Sequence, residues 1–346
     1  MRWFLMLIWI VPALRLPAAA MDLEAPAVPD SAGSWMPGDS GSFADGLAEL
    51  GRKALAYLGP EVEAAAEVCR MLLVLAVLLS LVSSGNSRTR RILLLTGTVA
   101  AGAILFREGT ALIRLSAATV RELSDYGKLF FPVMAAAMAA QGGVTASSAL
   151  YVGTLVFDAL LGNLLSRLLI PSVYCYLAMS LSYCATGQTL LKRIRDLIRS
   201  LASWLLKTLL TVFVTYMSIT GVVSGTTDAA ALKATKVTIS TVVPVVGGIL
   251  SDASEAVLTS AGLLKSSAGI YGILAFLAVF LAPFLTIGVQ YLILKLTGAV
   301  CAVFTEGGIS ALVDDFSEAM GLLLAMTGAC CLLLLISTVC FMKGVG

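Results

Sequence analysis

The sequence predicts an all-α fold: a polytopic integral membrane helical bundle with a cleavable signal peptide and a candidate re-entrant segment. Three observations carry this. Of 346 residues, 59% are apolar and 13% charged, against the roughly 25% charged residues of soluble domains. Apolar runs recur from residue 71 to residue 342, so a bilayer is the solvent for most of the chain. The start of the chain reads as an export signal: Arg2, an apolar run from Trp3 to Leu14, then Ala18-Ala19-Ala20, which places cleavage after Ala20. Arg15 and Pro17 depart from that pattern, and an uncleaved signal anchor is the alternative.

Residues 21–67 follow as an acidic arm. Asp22, Glu24, Asp30, Asp39, Asp45, Glu49, Glu61, Glu63 and Glu67 face only Arg52 and Lys53. Such a positive-poor segment is easily translocated, so the arm is expected to be extracytoplasmic, disordered to about residue 42 and helical from Phe43 to Glu67. Residues 68–128 then read as a first transmembrane pair plus an interfacial helix. Met71 to Ser84 goes in, the loop with Arg88, Arg90 and Arg91 is cytoplasmic, and Ile92 to Phe106 returns. Both runs are short for a hydrocarbon core that asks for about 20 residues. Arg107, Arg114, Arg121 and Lys128 recur at intervals of seven, which suits a helix lying at the interface or a solvated connector.

Residues 129–346 read as a multi-span membrane domain. Leu129 to Ala149, Leu150 to Leu165 and Leu168 to Ala185 are three apolar stretches broken by Pro132, Gln141-Gly142-Gly143 and Pro171. Leu190 to Trp204 carries Lys192, Arg193, Arg195 and Arg199 among leucines at helical spacing, an amphipathic basic helix for the cytoplasmic leaflet. Leu205 to Val223 spans outward, Ile270 to Phe304 is one kinked helix or a tight hairpin around Pro283, and Gly321 to Met342 is the last span. Six to eight spans are expected in the mature protein.

Functional classes narrow quickly. Histidine is absent, which removes the usual general base and the commonest neutral metal ligand. No nucleotide, hydrolase or zinc-protease motif occurs, so no catalytic residue, cofactor or metal is expected. A net charge of +2 with scattered basic residues gives no nucleic-acid surface. The seven cysteines lie in or beside apolar runs without CxxC spacing and read as small hydrophobes.

Polar groups inside apolar stretches remain as candidates. Asp158 is the foremost, because a charge at membrane depth normally faces a bundle interior or a pore; pairing with Arg167 is the plainer structural reading. Gln290 and Lys295 raise the same question, although Lys295 has the reach to snorkel. Asp314, Asp315 and Glu318 share a helical face that could hold a cation or simply be solvated. Residues 237–250 are too apolar for an aqueous loop and too short to cross as a helix. Pro244 removes a donor and Gly247-Gly248 lets the backbone turn, so the segment is a candidate re-entrant loop at a conduit, shouldered by Lys236 and Asp252; a kinked helix packed through small residues is the alternative.

Lys233-Ala-Thr-Lys236, Val243-Pro-Val-Val-Gly-Gly248, Ser251-Asp252 and Leu264-Lys265-Ser-Ser-Ala-Gly269, with Gln141-Gly-Gly-Val-Thr145 and the basic helix after Thr189, resemble the stage III sporulation protein AE family of endospore-forming Firmicutes. The resemblance covers roughly residues 129–342. It implies a subunit of the channel joining mother cell and forespore, placed in the bacterial cell membrane that becomes the outer forespore membrane. The implied partners are the other proteins of its operon and a forespore membrane protein. A self-sufficient secondary transporter coupled through Asp158 is the competing reading, and no convincing internal repeat relates residues 68–185 to 186–342.

Overall fold

A computed structural model of the chain describes residues 26–38, 43–82, 87–140, 144–219, 267–304 and 308–343. Nearly all of the described residues are helical and none is in a strand. The elements are a single turn α1 (Asp30–Gly33), α2 (Phe43–Val82), α3 (Ser87–Ala140), α4 (Val144–Leu164), a π-helical turn (Leu165–Leu169), α5 (Ile170–Thr186), α6 (Thr189–Ile219), α7 (Ser267–Phe304) and α8 (Gly308–Lys343). Six helical stretches, with α4 and α5 counted together, are long and apolar enough to cross a membrane. The signal peptide, the Gln141-Gly142-Gly143 break, and Lys236, Pro244, Gly247, Gly248 and Asp252 lie outside the described residues.

The helices run on where hydropathy alone suggests stops. Residues 43–82 are one helix of 40 residues, continuous from the acidic half into the apolar half. The change of character near residue 67 alters which solvent the helix meets, while Ala64, Ala65, Ala66 and Glu67 are all strong helix formers. In the same way, residues 87–140 form one helix of 54 residues, about 81 Å long. Arg107 to Lys128 is therefore its middle section and not a separate interfacial helix, and Pro132 sits in the interior without ending it. Pro171 does not separate two spans either. It falls just after the π turn, whose wider hydrogen-bond register absorbs the missing amide donor, so the chain stays helical from Val144 to Thr186. Gly187, at φ 73°, then turns it as a left-handed C-cap.

The basic segment 190–204 is likewise the first half of a single helix of 31 residues. Residues 267–304 form one helix through Pro283, not a hairpin. The arm before α2 is ordered where described: Ala32 and Trp35 are buried, Trp35 meets Tyr57 edge to face at 5.2 Å, and Lys53 Nζ donates to the Met36 carbonyl at 2.9 Å.

Close contacts fix how the helices are arranged. Helix α8 is the centre, with Leu312, Phe316, Leu323 and Leu333 each fully buried. Its partner α7 lies antiparallel: a side chain at Gly321 would meet Tyr291, and one at Gly269 would meet Met342. Helix α3 runs parallel to α8, with Phe106 against Phe316 near one end and Phe131 against Phe341 near the other. Helices α4 and α5 return antiparallel to α8, through Thr154–Ser337 and Tyr176–Glu318. Helix α2 packs outside α7 and parallel to it, joined by Tyr57–Thr286 and Thr297–Cys69. An aromatic cluster of Tyr126, Phe130, Phe131 and Phe276 closes the end where α3 meets α7.

One consequence is a shared end. Leu79 reaches Gly97, and a Cβ on Gly308 would touch Thr98 and approach the Cys184 carbonyl, so the end of α2, the first turns of α3, the end of α5 and the start of α8 gather together. The Arg88 region and the basic start of α6 are thus separated by two helix passages instead of four. The number is even in both cases, so the expected agreement in side is kept.

Candidate functional site

Three polar constellations stand inside this apolar bundle. The first is a clasp at the shared end. Arg195 and Arg199, four residues apart on α6, turn toward α8, where Asp315 and Glu318 lie three apart. Arg195 Nη1 is 2.5 Å from Asp315 Oδ2, and Arg199 Nη1 is 2.5 Å from Glu318 Oε2. The inner pair is nearly closed off, with side chains 12% and 9% exposed. Arg195 also donates to Asp196 and lies over the Tyr183 ring, while Tyr176 Oη donates to Glu318. Lys295 bridges to Asp314 at 3.1 Å.

These contacts correct two expectations. The Asp314, Asp315 and Glu318 face is neither a cation site nor a solvated loop, because each carboxylate already has a cationic side chain as partner. The basic helix does not present all its cations to lipid: Lys192 and Arg193 are exposed, but Arg195 and Arg199 are committed to α8. Lys295 is likewise held by Asp314. The signal that could have found the clasp was present as two doublets of opposite sign, at i,i+4 on one helix and i,i+3 on another.

The second constellation surrounds Asp158. It is 5% exposed and accepts a hydrogen bond of 2.7 Å from Ser124 Oγ on α3. Lys128 and Asp125, themselves paired at 2.8 Å, are near enough for their charges to act on it. One turn earlier, Thr154 Oγ1 donates to Ser337 Oγ on α8 at 3.2 Å. A short buried polar column therefore runs between α3, α4 and α8. Arg167 is exposed and makes no pair with Asp158; nine residues along a helix separate them by about 13 Å. A charged Asp at the centre of a spanning helix costs about 3 kcal/mol, so one hydroxyl donor is modest compensation.

The third is a stripe on α7. Thr286, Gln290 and Thr297 share the face that meets α2 through Tyr57 and Cys69. Gln290 is 7% exposed and belongs to this outer seam. Asp158 and Gln290 are therefore not brought together. None of the seven cysteines is in a disulfide, four of them are buried, and no group of histidine, cysteine or acidic side chains among the described residues could hold a metal ion.

A bundle of six long apolar helices, wrapped around a central one and carrying its polar groups as ion pairs and hydroxyl contacts, defines the class: a multi-pass helical membrane protein. The family model for stage III sporulation protein AE matches residues 37–344, and the chain belongs to that family. Stage III sporulation protein AE of Bacillus subtilis (strain 168) is 22% identical over 208 residues, which is 60% of this chain and 52% of the relative. The chain thus spans about half the length of the curated relative it matches. No solved structure matches it significantly.

Proposed function

We propose that this chain is a non-enzymatic membrane subunit of the sporulation channel, or secretion-like complex, that links mother cell and forespore and serves late forespore development. Its place would be the outer forespore membrane on the mother-cell side, its partners the other proteins of the stage III sporulation A operon and a forespore membrane protein. The observation that carries the reading is family membership over residues 37–344. The buried central helix α8 supports it, since a helix enclosed by its own chain leaves the outer faces of the remaining helices for lipid and for other subunits. The acidic arm, the Arg88 loop and the exposed Lys192 and Arg193 favour an extracytoplasmic N-terminus with the shared end cytoplasmic.

The second reading, a secondary transporter coupled through Asp158, is favoured by that carboxyl's burial beside Ser124. Purification of the full chain from membranes of sporulating cells separates the two. Co-purification of the operon proteins is the expected result; a chain that purifies alone and drives solute uptake into vesicles without them refutes the channel reading. Cysteines placed at residues 40 and 88 in a cysteine-free chain test orientation. The probe at 40 should label from outside the cell membrane, and labelling of it only after the cytoplasm is opened would reverse the assignment.

A further inference from the structure

Among the helices that expose side chains along the bundle, α3 differs in kind. Helices α4, α6 and α7 turn Val156, Leu160, Val212, Leu292 and Leu296 outward, as a lipid-facing surface should. Between residues 100 and 128, α3 exposes no large apolar side chain. Its outward face there reads Arg107, Ala111, Arg114, Ala118, Arg121, Asp125 and Lys128, all exposed. The steps of three and four keep this row on one side, with a drift of about 20° per heptad.

The row's depth makes it informative. Arg107 to Lys128 covers about 31 Å of helix, close to the full hydrocarbon thickness. The apolar runs on either side, 92–106 and 129–140, are each too short to cross alone, so α3 cannot span without taking part of the row into the membrane. Alongside run residues 316–334 of α8, the most buried of the long helices, as shown by Gly109 beside Phe316 and Gly127 beside Leu334. Arginines near a helix end can reach the headgroups, but a row of this length cannot snorkel at every position. The single turn α1, with irregular chain on both sides of it, also lies here. Ser31 of α1 donates to Glu122 of α3 at 2.8 Å, and the irregular chain flanking that turn is tolerated at membrane depth only against protein or water.

The row is also short of acids. Arg107 has Glu108 and Lys128 has Asp125. Arg114 and Arg121 have no acidic partner among the described residues. We infer that this face of α3 is a water-lined wall of the passage, and that its unpaired guanidinium groups at Arg114 and Arg121 attract anionic solutes, with carboxylate or phosphate groups, over cationic ones. A guanidinium fork matches either group through paired N–H donors. The inference rests on the channel reading and adds a charge class for what passes.

The test uses the full, otherwise cysteine-free chain in membranes of sporulating cells, with Ala111→Cys or Ala118→Cys placed between the cations so that all four are kept. Both thiols should react with the anionic sulfonatoethyl methanethiosulfonate roughly tenfold faster than with the cationic trimethylammonium analogue. Arg114→Gln with Arg121→Gln should erase that preference and the lysine replacements should restore it, while Val156→Cys stays inert in lipid. Protection of both thiols from either small reagent would mean a partner helix covers the row, and would overturn the inference. So would equal rates for the two charges, or reaction with a bulky polyethylene-glycol maleimide as fast as with the small reagents. The two readings fail differently. If the operon proteins do not co-purify but Ala118→Cys keeps its charge-dependent rate, the channel reading falls and the anion-attracting face stands. If they co-purify and the thiol is inert or blind to charge, this inference alone falls.

Discussion

Replacing Arg195 with methionine should be far more costly than the same change at Arg199, although the two arginines sit one turn apart and hold neighbouring carboxylates at the same distance. The difference is burial. Arg195 and Asp315 are 12% and 9% exposed, so Arg195→Met strands a buried carboxylate, a change that costs about 3–5 kcal/mol. Arg199 and Glu318 are 38% and 25% exposed, and water replaces most of what is lost; about 1 kcal/mol is expected. Asp315→Leu should fall between, near 2 kcal/mol, because Arg195 keeps Asp196 at 2.8 Å and the Tyr183 ring. The double variant Arg195→Met with Asp315→Leu removes both charges and should recover to within about 1–2 kcal/mol of the parent. Reversible unfolding of the full chain in lipid discs, followed as a double-mutant cycle, reads these values. Equal costs for the two arginine variants, or a double variant equal to the sum of its singles, would refute the assignment of the inner pair as the buried lock between α6 and α8.

Asp158→Asn keeps the size and the Ser124 contact while removing the charge, so spore yield should stay near the parental level in a channel subunit; a sporulation defect at normal protein level and normal complex assembly would move the assignment to an ion-coupled transporter. Gly272→Ala should destabilise the bundle by about 1–3 kcal/mol, because its methyl would run into the Phe130 ring, which is fully buried and held between Tyr126 and Phe276; an unchanged unfolding midpoint would show that the ring can yield. Replacing Gly247 and Gly248 with leucine should block passage through the assembled complex while membrane insertion stays intact, as read by forespore reporter activity beside protein level in membranes; normal reporter activity would argue against a conduit role for that segment.

Solvent class was decided by composition, which is a local property: each apolar residue contributes its transfer preference wherever its partners lie. That is why the all-α class and a count of six to eight spans could be read along the chain, while the choice between one helix and a hairpin around Pro283 stayed open until the structure showed one helix. Helix ends were not legible in the same way. The sequence contrast at residues 67, 106 and 129 marks a change of solvent, and α2 and α3 run through all three because the backbone responds to propensity and packing, not to hydropathy. What each polar residue does was settled only by tertiary structure. Arg195 and Asp315 are 120 positions apart, and Ser124 and Asp158 are 34 apart. Neither pairing follows from helical periodicity, which reaches only neighbours on one helix. The same holds for the heptad of cations on α3. Its spacing shows one face from the sequence, but the bundle alone shows that this outward face lies level with the buried middle of α8, at a depth where a charge must have water or a partner.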